Sequence, residues 1–568
     1  FCLPTLAMAQ SATVDGLPVV AAEQGDAPIV VTGVRQAYRG DFALSEIPQS
    51  IDVIDAATIE ENSIIRLNDA LDLNASVARQ NTLGGLWDSF AIRGFAGDEN
   101  IPTGYLVNGF NGGRGFGGER DTAGIERIEV LKGPAAALFG RGEPGGTVNL
   151  VTKQARIGDI FGTFGVQFGS FDRLRSEADI NLAVTERLSA RLIGYIEGGD
   201  TFRDTVEEYR WGFLPSIGIA IGPDTRLTYD LEKTRVETPF DRGIVVLGGD
   251  FDTVPRDRYL GEPGDGDHIA RAEGHSLRFQ HDFNADWSML LGGSLRDTLL
   301  TGTSSDPELA VSRQPIFRDG RSLSRQRRSR VYDSQQFVLR AEISGAFQTG
   351  GLRHRVLIGA DHDEFDNLQD FRRVRPPSVN SNPSEQAAYV IDVLDPVYGR
   401  FPLPTPLPQN NRLDEQKSTG FFLQDQIELT DRLQIRIGAR YDDFSLRTEN
   451  YLTGIDSERK DDRISPQFGV VYEIADPVTL YAAYSEGFRA NIGTGVTGRI
   501  FDPEISKSIE AGAKLTLLNG ALTGTFTVYQ LEKDNVLASD INNPGFSVAI
   551  GEARSRGIEL DVNGRLPG

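Results

Sequence analysis

Gly140-Arg141-Gly142-Glu143-Pro144-Gly145-Gly146-Thr147 sets two glycines at the spacing of a phosphate-binding loop. Such a loop needs a lysine after its second glycine to reach the β- and γ-phosphates, and Gly146 stands there instead. Glu143 also brings a negative charge to where a phosphate would lie. The stretch reads as a backbone device: its glycines permit positive φ or close chain approach, and Pro144 fixes the turn. His268, His275, His281, His354 and His362 form no spaced Cys/His set for a metal. In Asp361-His362-Asp363-Glu364 a strand puts Asp361 and Asp363 on one face and His362 and Glu364 on the other, so they do not converge on one ion. With no G-x-S-x-G and no H-E-x-x-H motif, neither an enzyme nor a resident cofactor or metal is expected.

The elements around these residues read as β. Glycine makes up 63 of 568 residues, against an average usage of roughly 7%, and 27 prolines and 31 phenylalanines suit many strands and turns. The net charge of −23 argues against a nucleic-acid partner. The only cysteine, Cys2, lies in FCLPTLAMAQ, which looks like the end of a secretory signal with its cleavage site before Gln10, so residues 1–9 read as a signal remnant. Beyond it no run of about 18 apolar residues occurs, so a membrane-spanning form must be a closed β-barrel.

From about Gly158 onward, two-residue alternation dominates. In RLQIRIGARY, Leu433, Ile435, Ile437, Ala439 and Tyr441 alternate with Arg432, Gln434, Arg436, Gly438 and Arg440. A soluble sandwich turns its apolar face to a second sheet; a membrane barrel turns it to lipid and lines its lumen with the polar face. The connections decide. Tight links at 221–224, 284–286, 349–351, 475–477 and 518–520 alternate with long polar loops at about 238–268, 299–328, 367–411 and 488–502, the rim asymmetry of outer-membrane barrels. Alternation gives roughly 16 strands, with the last breaking off at Pro567-Gly568 as if more should follow. Residues 35–157 differ: they form a compact α+β domain in which Ile59, Ile64, Leu67 and Leu71 make a helical stripe. A domain of this size suits a lumen wide enough to need plugging, as in barrels of about 22 strands.

Five ordered motifs then carry a resemblance: PQSIDVI (48–54), LNDAL (67–71), FAIRGF (90–95), IERIEVLKGP (125–134) and FGRGEPGGTVNLVTK (139–153). In order and spacing they resemble the plug of TonB-dependent ferric-siderophore receptors, and SRGIELDV (555–562) looks like a late barrel strand of that family. The resemblance implies a leader at 10–34, a plug at 35–157 and a transmembrane barrel at 158–568, in the outer membrane and monomeric. Pro28, Ile29, Val30, Val31, Thr32 and Gly33 are similar to the TonB box, a β-prone segment able to add to a partner's sheet edge. The alternative for Ile29–Thr32 is the plug's first strand. Partners implied are TonB, a ferric siderophore carrying its own iron, and outer-membrane lipid with lipopolysaccharide.

By the same resemblance, Trp87, Asn100, Arg114, Phe116 and Arg120 on the outward plug apices meet the ligand, where aromatic faces and guanidinium forks suit flat, anionic complexes. Packing within the plug is the plainer role for Trp87 and Phe116. Arg93, Glu126, Arg127, Glu129 and Lys132 are expected to pair with the barrel wall, partly hydrated, or to be an ordinary solvated face. RSLSRQRRSR carries five arginines, Arg321, Arg325, Arg327, Arg328 and Arg330, on a loop entering a strand, and reads as a solvated run, with attraction for anionic complexes or lipopolysaccharide as the alternative. The function implied is energised import of ferric siderophores. Rival readings are import of cobalamin, haem or oligosaccharide, a passive porin, or a surface adhesin.

Overall fold

The computed structural model describes residues 42–564 apart from 98–103, 114, 382, 493–494, 497–499, 519–520 and 541–546. The TonB-box segment, Asn100 and Arg114 lie outside the described residues. Two bodies nest. Among the described residues, seventeen strands from Phe161–Phe168 to Ser547–Gly564 form a closed barrel, and inside it sits a domain built on a five-stranded mixed sheet. Sixteen of the barrel strands are long; the other, Val390–Asp392, pairs with Ser322–Ser324 and is too short to show alternation.

The alternating pattern folds inside out. On the strand Leu433–Asn450, Arg436 and Arg440 are 1% and 2% exposed, whereas Ile437 and Tyr441 are 50% and 40% exposed. Phe421, Leu423, Ile464 and Phe468 on neighbouring strands share that apolar exterior. A soluble sandwich would bury this band, so the exposed belt meets lipid and the arginines line the lumen. The tight links fall at one rim, as in the 350–351 turn between Ser322–Thr349 and Leu352–Val374. Of the opposite loops, those expected at about 238–268 and 488–502 stand as read, while those at about 299–328 and 367–411 are shorter than the polar stretches suggest. The strand Trp287–Pro307 and its partner Ser322–Thr349 continue past the apolar band, leaving 308–321 between them. Their upper parts are polar because loops and lumen side chains rather than lipid cover them, Ser304, Asp306, Arg325 and Arg330 all being buried among polar partners, which removes the hydrophobic signal but not the backbone pairing.

In the inner domain the sheet order is Ile51–Asp55, Ile125–Lys132, Gly146–Thr152, Tyr105–Val107, Phe110–Asn111. Its core joins Ile54, Ile59, Leu67, Leu71, Phe90, Ile128, Val130, Val148 and Leu150. The expected single helical stripe is two short helices, Ala56–Glu61 and Leu67–Leu71. Asp55 caps the first by accepting from the Thr58 amide at 2.8 Å. Ser63, in the left-handed region at φ 53°, breaks the chain between them. The glycine loop shows why it is glycine. A Cβ on Gly145 would collide with the Ile92 carbonyl, and one on Gly146 with that of Leu131, because the loop is pressed between two strands. Gly145→Ala is therefore expected to destabilise the inner domain by roughly 1–3 kcal/mol, read as faster amide exchange in Gly146–Thr152; unchanged exchange there would show that the loop can move aside.

Candidate functional site

The strand Ile125–Lys132 lies in the middle of the plug sheet, so only its end reaches outward. Lys132, at that end, pairs with Asp52 at 2.7 Å in the plug and with Asp561 at 2.6 Å in the wall. Burial works against its ammonium, but Asp52 and Glu559 outweigh it and hold its pKa above the usual value. Arg93 leaves the strand Phe90–Ile92 with φ 49°, bridges Glu510 and Glu559 of the wall at 2.9 Å each, and lies over the Tyr529 ring at 4.0 Å. Its side chain is fully buried, so it is not one of the hydrated pairs expected from sequence. Arg127 and Glu129 depart from expectation more sharply. They pair with each other at 2.7 Å and Asn149 donates to Glu129 at 2.8 Å, because mid-sheet residues meet strand neighbours first. Glu126 faces Arg156, 3.6 Å away in the segment leading into the barrel, and both are exposed.

Two wall contacts arise in the glycine loop, where sequence reasoning assigned only a turn. Arg141 is buried and pairs with Asp363 of the wall, with Gln416 at 3.1 Å. Glu143 receives Arg489 at 2.8 Å. Arg141 between two glycines was the available signal. The expected division of Asp361-His362-Asp363-Glu364 is present: Asp361 and Asp363 are buried in the lumen, Asp361 against Arg440 at 2.5 Å, while half-exposed His362 meets Glu364 at 3.1 Å on the outer face.

At the apex, Trp87 packs edge-on to Phe116 at 5.3 Å and lies 6.1 Å from Phe240; Phe116 lies 4.7 Å from Tyr332. With Val236, Ala270 and Leu300 they form an apolar floor shared by plug and wall. Phe116 is buried and Trp87 half-buried. Arg120 is enclosed below, bound to Glu232 and to the Tyr105 hydroxyl at 3.1 Å, so it is a strut rather than an open fork. Beside it Glu119 accepts from Asn68 at 2.7 Å, with Arg66 3.9 Å away. Burial pushes Glu119 up to about 7; Arg66 opposes this, and Asp88 and Glu208 add to it. Among the described residues no three or more His, Cys, Asp or Glu side chains gather as a metal-holding group.

Fold and contacts define a class: a membrane barrel whose lumen is filled by its own N-terminal domain, held to the wall by buried charges. Comparison with known proteins agrees. The family model for the TonB-dependent receptor plug domain matches residues 43–147, and that for the TonB dependent receptor-like beta-barrel matches 210–567. The chain is 35% identical over 559 residues to the metal-pseudopaline receptor CntO of Pseudomonas aeruginosa, covering 96% of this chain and 76% of the relative. It is 27% identical over 574 residues to the ferrichrome outer membrane transporter/phage receptor of Escherichia coli, covering 95% and 74%. The siderophore receptor PiuA from Acinetobacter baumannii matches in fold with a TM-score of 0.79 at 20% identity, over 92% of this chain and 78% of that one. This protein belongs to the TonB-dependent receptors, a family of outer-membrane β-barrels.

Arg93→Met leaves Glu510 buried without a cation and Glu559 with only Lys132, 3.7 Å away, which costs about 3–5 kcal/mol. The expected readout is loss of exchange protection in Phe90–Ile92 with the barrel intact; full protection would make the pair dispensable. For Glu119 the folded-state pKa lies above the ordinary value of 4.5, so the folded plug holds the proton longer than the unfolded chain. Its contribution is present at low pH and lost as pH rises from about 4.5 through 7. Plug protection should fall across that window, and Glu119→Gln should flatten the fall.

Proposed function

We propose that this protein imports a ferric siderophore across the bacterial outer membrane, using energy delivered by TonB to Pro28–Gly33. The observation that carries this reading is the plug itself, which fills the lumen with its own apolar core and is held to the wall through buried polar pairs. A passive porin needs an open lumen, and an adhesin needs no plug. Iron arrives already wrapped in its chelator, so no protein ligand or resident cofactor takes part. Half-buried Trp87, backed by buried Phe116, offers the cargo an aromatic surface at the apex, and Asn100 and Arg114 are further ligand contacts; Arg120 is held by Glu232 and Tyr105. The exposed apolar belt meets outer-membrane lipid, and the working unit is a monomer. The names of the E. coli and A. baumannii proteins support the siderophore reading. A second reading keeps the importer and changes the metal, because the relative at 35% identity is a receptor for a metal–pseudopaline complex not specified as ferric.

Radiolabelled iron uptake from a panel of siderophores, in a host lacking its own ferric receptors, tests this with and without residues 28–33. Uptake of one complex that vanishes with the segment is expected. Absence of segment-dependent uptake, in cells displaying the folded barrel, would remove iron as the cargo; the same assay with labelled nickel, cobalt or zinc then addresses the second reading.

A further inference from the structure

The arginine run at 321–330 is not a solvated loop. Its residues lie on or beside the strand Ser322–Thr349, in the part that stands above the apolar belt, and alternation sorts them onto two faces. Arg325 and Arg327 tie down the loop at 239–267, through Glu262 at 3.0 Å and Asp265 at 2.7 Å. Arg328 and Arg330 turn the other way, into the lumen, so they do not meet lipopolysaccharide. There they converge with Arg242 on one carboxylate oxygen, Oδ2 of Asp306, at 3.4, 2.9 and 3.2 Å.

A fourth cation, Arg373, joins them across Phe371. The guanidiniums of Arg328, Arg330 and Arg373 lie 5.6, 6.0 and 6.0 Å from that ring. Asp306 is buried and carries a single charge. Three guanidiniums therefore share one carboxylate, with Arg373 beside them facing Glu308 and Arg375, in a chain whose net charge is −23, and the Nε of Arg373 donates no hydrogen bond. The cluster borders the aromatic floor directly, since Arg330 lies over the Phe240 ring at 4.1 Å and Phe240 packs against Trp87. A ligand resting on Trp87 has its edge within reach of these guanidiniums.

Resting on the importer reading above, we propose that the metal complex this protein takes is anionic and presents carboxylates to Arg328 and Arg330. Planar oxyanions match guanidinium forks in geometry and charge, and an excess of fixed positive charge in a low-dielectric cleft concentrates anions and repels cationic complexes. A neutral chelate would leave the excess charge uncompensated.

The test uses the full-length receptor and quenching of its tryptophan fluorescence, with ferric complexes of a citrate-type polycarboxylate, a neutral trihydroxamate and a cationic hydroxamate. Tight binding is expected for the polycarboxylate alone, weakened roughly ten- to a hundredfold by Arg328→Gln and by Arg330→Gln, and falling with added salt. Arg328→Lys, which keeps the charge and loses the fork, should recover part of the loss and report that the barrel folds. Equal or tighter binding of the neutral complex, or affinity unmoved by either glutamine variant, would overturn the charge assignment while leaving the importer reading intact. Failure of every complex to bind, with segment-dependent uptake also absent, would overturn both.

Discussion

Hydrocarbon offers a peptide group nothing to bond with, and the rest of this structure depends on that fact. Each amide in the bilayer must find its partner within the sheet, so the strands run around a ring. A strand in such a ring has one face in lipid and one in the lumen, which is why Ile437 and Tyr441 are exposed while Arg436 and Arg440 are buried beside them. A lumen enclosed by so many strands is too wide for the wall's own side chains to fill. The N-terminal domain occupies it, and the polar lining dictates how that domain is held.

Plug and wall adhere differently from the way either coheres. The main apolar core of the plug draws only on plug residues, from Ile54 to Leu150. Its contacts with the wall are mostly charged: Arg93 with Glu510 and Glu559, Lys132 with Asp561, Arg141 with Asp363, Glu143 with Arg489. A buried ion pair adds little net stability over a well-packed apolar contact, yet it demands one geometry. Water can replace its partners when the plug shifts, whereas an apolar interface would lose its area with no substitute. The chief exception is the apex, where Trp87 and Phe116 share an apolar cluster with the wall. That floor lies next to the arginines around Asp306, so the least polar and most cationic parts of the lumen adjoin.

What the sequence shows follows from what period-two alternation reports. Sixteen long strands were countable because lipid and lumen impose opposite polarities on successive residues. The upper parts of Trp287–Pro307 and Ser322–Thr349 were illegible, because polar partners on both faces leave no contrast. That loss hid the arginine cluster: RSLSRQRRSR has the composition of a solvated loop, and only pairing with 301–307 assigns its residues to faces. Arg93 and Lys132 were legible as wall contacts only through the family resemblance, and both reach the wall. Arg127 and Glu129 were not, since one sequence cannot tell a central strand from an edge strand. Arg141 and Glu143 were hidden by their glycines, which drew attention to the backbone.

The same physics shapes the first described residues of the plug. Phe42 lies between the guanidiniums of Arg355 and Arg436, 4.4 and 4.8 Å from its ring centre. Glu46 then pairs with Arg355 at 3.0 Å, and Lys514 donates to the carbonyls of Leu44 and Ile47 at 2.6 Å. Further along, the Ser50 amide donates to Glu510 at 2.9 Å, and Glu510 also holds Arg93. Force applied ahead of Phe42 meets these attachments in chain order, each made to the wall and each polar or cation–π in kind. Phe42 and Ile47 also pack with Ile51 and Leu131 in a small apolar cluster of the plug, so pulling must unseat that cluster together with the wall contacts before strain reaches Glu510 and the carboxylate pair that grips Arg93.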